Sequence, residues 1–124
     1  MKFRVARHTT KLAEIKKFYH EIIGLEILGE FENHSNYDGI FLGLKGQNWH
    51  LEFTVSNEPP NHKPDRDDLL VFYPETEEHF NEIIKTLKNA GIDSITSKNP
   101  YWSNHGVTVL DPDNFSVVIA KPTK

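Results

Sequence analysis

The chain has 124 residues, a net charge of −4 and no cysteine. That is one ordinary domain, without disulfides, thiolate nucleophiles or cysteine zinc sites. Scattered lysines and an excess of acids give no nucleic-acid footprint, and no apolar run approaches the roughly 20 residues of a membrane span. The N-terminus, MKFRVARHTT, lacks an apolar secretory core, so a cytoplasmic protein is expected.

In chain order, RVARH (4–8) reads as a short strand. Leu12, Ile15, Phe18, Tyr19 and Ile22 then fall at helical spacing on one apolar stripe. Thr9 or Thr10 can cap the start of this helix, and Gly24 can end it in a left-handed conformation. LEILGEF (25–31), YDGIFLGL (37–44) and WHLEFTV (49–55) read as three strands, with turns at NHSN and KGQN. NEPPNHKPDRD (57–67) is a polar, proline-broken linker, and its DRDD run (65–68) reads as solvated. LLVFY (69–73) is the next strand. PETEEHFNEIIKTLKNAG is a helix with acids in its first turn, where the helix dipole favours them. DSITS (93–97), HGVTVL and FSVVIA complete the strands.

The order repeats. Phe80, Ile83, Ile84 and Leu87 each lie 65 residues after Ile15, Phe18, Tyr19 and Ile22, and Gly91 and Gly106 lie 67 after Gly24 and Gly39. The expected fold is α+β. Two tandem βαβββ modules, 1–56 and 68–124, are joined by the linker 57–67. One such module cannot bury both faces of its sheet, so the two are expected to form a curved sheet or half-barrel around one cavity.

Two signposts carry a family resemblance. FYHEIIGLEIL (18–28) and DPDNFSVVI (111–119), at this separation, resemble the vicinal oxygen chelate superfamily. It includes glyoxalase I, extradiol dioxygenases, and fosfomycin- and bleomycin-resistance proteins. HLEFT, LLVFY and NPYW are further similar to an unassigned bacterial subgroup of YycE type. The resemblance covers essentially the whole chain and implies a homodimer with a small molecule as its partner.

Metal-dependent members of the superfamily hold an ion with four ligands, typically His, Glu, His and Glu, one from each of four strands. The corresponding positions here are Arg4, Leu69, Val118, and either His50 or Glu52. A guanidinium has no lone pair to give, and Leu and Val have no donor at all. No metal and no cofactor are therefore expected.

Strand parity places Arg4, Ala6 and His8 on one face of the first strand, and His50, Glu52 and Thr54 on one face of the fourth. Leu69, Val71 and Tyr73 share a face of the fifth. If these are inner faces, Val5, Leu70 and Phe72 pack towards the helices. The set suits a small-molecule pocket with apolar walls and a few orienting polar groups.

Each member also has a plain structural role open to it. Arg4 and Glu52 can form an ion pair that serves only each other. His50 can be a satisfied structural histidine, and His8 can simply end its strand. In NPYWSNHG (99–106), Tyr101 and Trp102 can form an aromatic lip over the cavity, or close the end of the barrel, or pack in a dimer. Asn99 and Pro100 favour an extended start to that loop. DPDN (111–114) reads as a turn rather than a carboxylate pair.

The leading expectation is a metal-independent small-molecule binder using Arg4, His8, His50, Glu52, Tyr73, Tyr101 and Trp102. Two alternatives stay open. One is a glyoxalase- or fosfomycin-resistance-like enzyme with a rearranged metal site of His8, His50 and Glu52. The other is a metal-free enzyme with Glu52 or His50 as the acid–base group.

Overall fold

The computed structural model describes residues 1–123. The chain divides into two compact units, the first ending at His62 and the second beginning at Lys63.

In the first unit, β1 (Phe3–His8) leads to α1 (Leu12–Lys16), which widens into a π-helical turn over Lys17–Ile22. There Ile23 N–H reaches back five residues to the Phe18 carbonyl, at 3.0 Å. The threonine cap takes a different form from the one expected. Lys11 precedes the helix without a side-chain cap, and Thr9 Oγ1 accepts from Lys11 N–H at 3.0 Å. Gly24 ends the helix at φ +94°, as read from the sequence.

Next come β2 (Glu26–His34), β3 (Tyr37–Gly43) and β4 (Trp49–Val55). The sheet order is β1-β4-β3-β2, with β1 parallel to β4 and the other pairs antiparallel. Ile15, Phe18, Tyr19 and Ile22 from the helix are buried with Ile40, Leu42, Leu51 and Phe53 from the sheet.

The second unit repeats this wiring in reduced form. β5 (Leu69–Phe72) is followed by α2 (Glu77–Asn89), α3 (Tyr101–His105), β6 (Gly106–Leu110) and β7 (Ser116–Ala120). Its sheet order is β5-β7-β6, again with the first strand parallel to the last. Thr76 caps α2 by accepting His79 N–H at 3.0 Å, and Gly91 closes it at φ +74°.

Two expectations are corrected here. The strand read at 93–97 is a single bridge, Ile95 to Thr108. Side-chain contacts, two of them from the linker, take over the role of a ladder. Arg66 donates to the Thr96 carbonyl at 2.7 Å, Asp67 pairs with Lys98 at 3.2 Å, and Ser97 bonds Thr108 Oγ1 at 2.6 Å. DRDD is thus exposed, but it also pins this segment. The loop read at 99–106 contains α3. Asn99 Oδ1 accepts Tyr101 N–H at 3.1 Å, and Pro100, with φ preset for a helix, stands at its start. No described helix is long and apolar enough to cross a membrane.

Candidate functional site

Phe53 points towards the helix and stacks on Tyr19, with ring centroids 5.0 Å apart. Alternation along β4 then sends His50, Glu52 and Thr54 to the other face. β1 lies alongside in parallel register, Arg4 opposite His50, Ala6 opposite Glu52 and His8 opposite Thr54. β3 adds Phe41 opposite Glu52 and Gly39 opposite Thr54. Gly39 is required by close approach. A Cβ there would sit 2.3 Å from the Phe31 ring, which lies over this position.

Arg4 donates through Nη1 to Glu52 Oε1 at 3.1 Å. The Glu52 side chain is 13% exposed and that of Arg4 51%. The guanidinium carbon also lies 5.6 Å from the centre of the Phe41 ring. Phe41 meets His50 edge-on at 5.5 Å and Phe31 at 5.6 Å. The face is therefore a half-exposed cation held between a carboxylate and an aromatic ring. The remaining donors of the guanidinium fork point to no protein acceptor among the described residues. Phe41 was missed by sequence reasoning. The signal was its even spacing with Gly39 and Gly43, and reading it required the β3–β4 register.

Burial, then the positive charges of Lys2 and Arg4, hold His50 below its ordinary value of 6.5, against the opposing pull of Glu52. The imidazole is thus neutral at neutral pH. Just below pH 6.5 the unfolded chain binds a proton that the folded chain refuses. Stability is then fully present above 6.5 and declines as pH falls below it. Urea midpoints compared at about pH 7 and about pH 5 should show this decline, and His50→Gln should reduce it. An unchanged decline in the variant would place its origin elsewhere.

His8 is engaged differently. Nδ1 lies 2.7 Å from Thr54 Oγ1, and Nε2 lies 3.0 Å from both Ser56 Oγ and the Glu58 carbonyl. His62 Nε2 in turn donates to the His8 carbonyl at 2.6 Å. The pair fastens the segment after β4 to β1, and neither ring nitrogen of His8 has a lone pair aimed outward. His8 stands four register steps from His50, about 13 Å along the strands.

Tyr73, Tyr101 and Trp102 lie in the second unit. Trp102 meets Tyr73 edge-on at 6.4 Å and Tyr101 at 4.9 Å. Tyr101 stacks flat on His105 at 4.1 Å. Together they line a cavity of about 310 Å³, with Glu75 and Lys121 also in its wall. The sequence pointed to the three aromatics. Glu75, His105 and Lys121 become members only through the exit of β5, the turn of α3 and the exit of β7.

Sequence models for the YycE-like N-terminal and C-terminal domains match residues 3–54 and 67–121. The uncharacterised protein YycE of Bacillus subtilis is 44% identical over 119 residues, covering 93% of this chain and 84% of that one. The chain belongs to the YycE-like family. Through it the chain belongs to the vicinal oxygen chelate superfamily.

The crystal structure of B. subtilis YycE, a protein of unknown function grouped with glyoxalase and fosfomycin-resistance proteins, superposes with a TM-score of 0.88. It shares 40% identity and covers 99% of this chain and 90% of that one. Leishmania major glyoxalase I (TM-score 0.73, 19% identity, 95% and 84% covered) has the same fold. So does TnmS3, an antibiotic-binding protein from Streptomyces sp. CB03234 (0.70, 16%, 99% and 96%). The α+β glyoxalase/bleomycin-resistance fold read from the sequence is the fold of this YycE-like chain.

The metal of the wider superfamily does not fit this donor set. Arg4 is a cation engaged by Glu52, Leu69 is aliphatic, and Val118 is fully buried. The rearranged set also fails on geometry, because His8 and His50 are too far apart to share an ion. Among the described residues no group of three His, Asp or Glu side chains is placed to hold one.

Proposed function

We propose that this YycE-like protein binds a small anionic or polar molecule, without a metal, on the face formed by Arg4, Phe41, His50 and Glu52. One observation carries the reading. Arg4 is a half-exposed guanidinium with a single hydrogen bond among the described residues, seated against an aromatic ring. A planar carboxylate is the natural complement of such a fork, and Phe41 with Phe31 offers apolar surface beside it. The antibiotic-binding TnmS3 shows that the fold can serve a binder.

Benzoate is a suitable first probe by calorimetry. It is expected to bind saturably and to be recovered unchanged. Arg4→Ala should weaken binding at least about tenfold, the loss of a charge-assisted pair. Glu52→Gln should strengthen it by freeing the fork. Retained affinity in Arg4→Ala would overturn the assignment of the site.

A second reading draws on His50, which is held neutral beside Glu52 and is thus able to accept a proton at neutral pH. It requires turnover that survives chelators and is lost in His50→Gln. Such turnover would replace the binder with a metal-free enzyme using the same face.

A further inference from the structure

The cavity of the second unit is built from different chemistry. Tyr73 and Tyr101 are large aromatics with 70% and 56% of their surface exposed. Both meet Trp102 edge-on, and all three rings line the cavity. One face of Tyr101 is already covered by His105, so the ring is fixed in orientation.

The helix carrying these rings is fastened at both ends. Asn99 Oδ1 accepts Tyr101 N–H at its start, and Lys121 N–H donates to the His105 carbonyl at 2.8 Å. His105 Nδ1 donates to the Tyr101 carbonyl at 2.6 Å, which fixes the orientation of the ring. Glu75 adds a carboxylate to the wall, and Lys121 adds an ammonium.

We propose that this Tyr73–Tyr101–Trp102 pocket is a binding site for a planar aromatic cation. The ring faces carry negative π density and attract a cation, most strongly at Trp. Glu75 and Lys121 stand in the same wall and offset each other, so the preference of sign rests on the rings. A planar anion of equal size would meet the π faces with the wrong charge. A neutral ring would gain stacking alone. The volume of about 310 Å³ stands at the small end of ligand cavities and fits one or two fused rings.

The test is calorimetric titration of the intact chain with N-methylquinolinium. Naphthalene-2-sulfonate serves as a flat anion of similar size, and tetramethylammonium as a cation without a ring. Saturable binding of N-methylquinolinium, at least about tenfold tighter than either control, is expected. Trp102→Ala and Tyr101→Ala should each weaken it about tenfold, and Glu75→Gln several-fold. Tyr101 and Glu75 are exposed, so their variants decide the matter even if Trp102→Ala does not fold. Arg4→Ala should leave the affinity unchanged. The proposal is overturned by an absence of saturable binding, by equal affinity for the sulfonate or for tetramethylammonium, or by a loss in Arg4→Ala.

Discussion

Phe53→Ala is expected to remove about 3–5 kcal/mol of folding stability, one of the largest losses available in this chain. Phe53 is 2% exposed at the centre of β4, and Tyr19, fully buried, stacks on it. Tyr19 is itself held edge-on by Phe18 at 4.8 Å. Truncation would therefore leave a void between a strand and a helix whose rings interlock, where little can collapse inward. The same residue fixes which way β4 faces. With Phe53 anchored under the helix, Glu52 must point to the opposite side, towards Arg4.

Glu52→Gln should cost less than about 1 kcal/mol, because its partner is half in water and solvent screens the pair. Urea unfolding of the two variants measures this contrast directly. A small loss in Phe53→Ala would mean that the helix does not depend on this contact. A large loss in Glu52→Gln would make the ion pair part of the scaffold.

The alternation that puts Phe53 in and Glu52 out was legible in WHLEFT alone, because a half-buried strand advertises its two faces. The helical stripe Ile15, Phe18, Tyr19, Ile22 and its echo 65 residues later were legible for the same reason. Residues whose role depends on another segment were not. Ile95 and Thr96 have strand propensity, yet Arg66 occupies the Thr96 carbonyl and only one bridge forms. Propensity cannot report that a side chain thirty residues earlier will compete for a backbone acceptor.

The Asn99-Pro100 pair misled for a related reason. Both residues suit extended turns, but both also suit a helix start, and the bond from Tyr101 N–H to Asn99 selects the second. In the candidate site, Arg4 and Glu52 could be placed on their strands by parity. Their contact with Phe41 required the order β1-β4-β3, which the repeat alone does not give. Likewise, His8 looked as suitable as His50 until Thr54 of β4 and the segment after that strand supplied partners for its two ring nitrogens.

Asp111→Ala is expected to cost about 2–4 kcal/mol, through two backbone donors left without their acceptor. Asp111 is 3% exposed. Its Oδ1 accepts Asp113 N–H at 2.9 Å and Phe115 N–H at 3.0 Å, while Asn114 N–H closes the turn on the Asp111 carbonyl. Asn114 takes the left-handed conformation, φ 69°, that this tight turn demands. The carboxylate is thus committed to the turn that feeds β7, whose strand is buried along its whole length. Asp111→Asn separates this role from a chemical one, because an amide oxygen can still accept both bonds but cannot act as a base. Asp111→Asn should recover about half or more of the loss in urea unfolding and leave ligand affinity unchanged. If instead Asp111→Asn unfolded as readily as Asp111→Ala, the negative charge itself would be what holds the turn. If Asp111→Asn folded normally but lost ligand affinity, DPDN would have to be counted in the binding machinery.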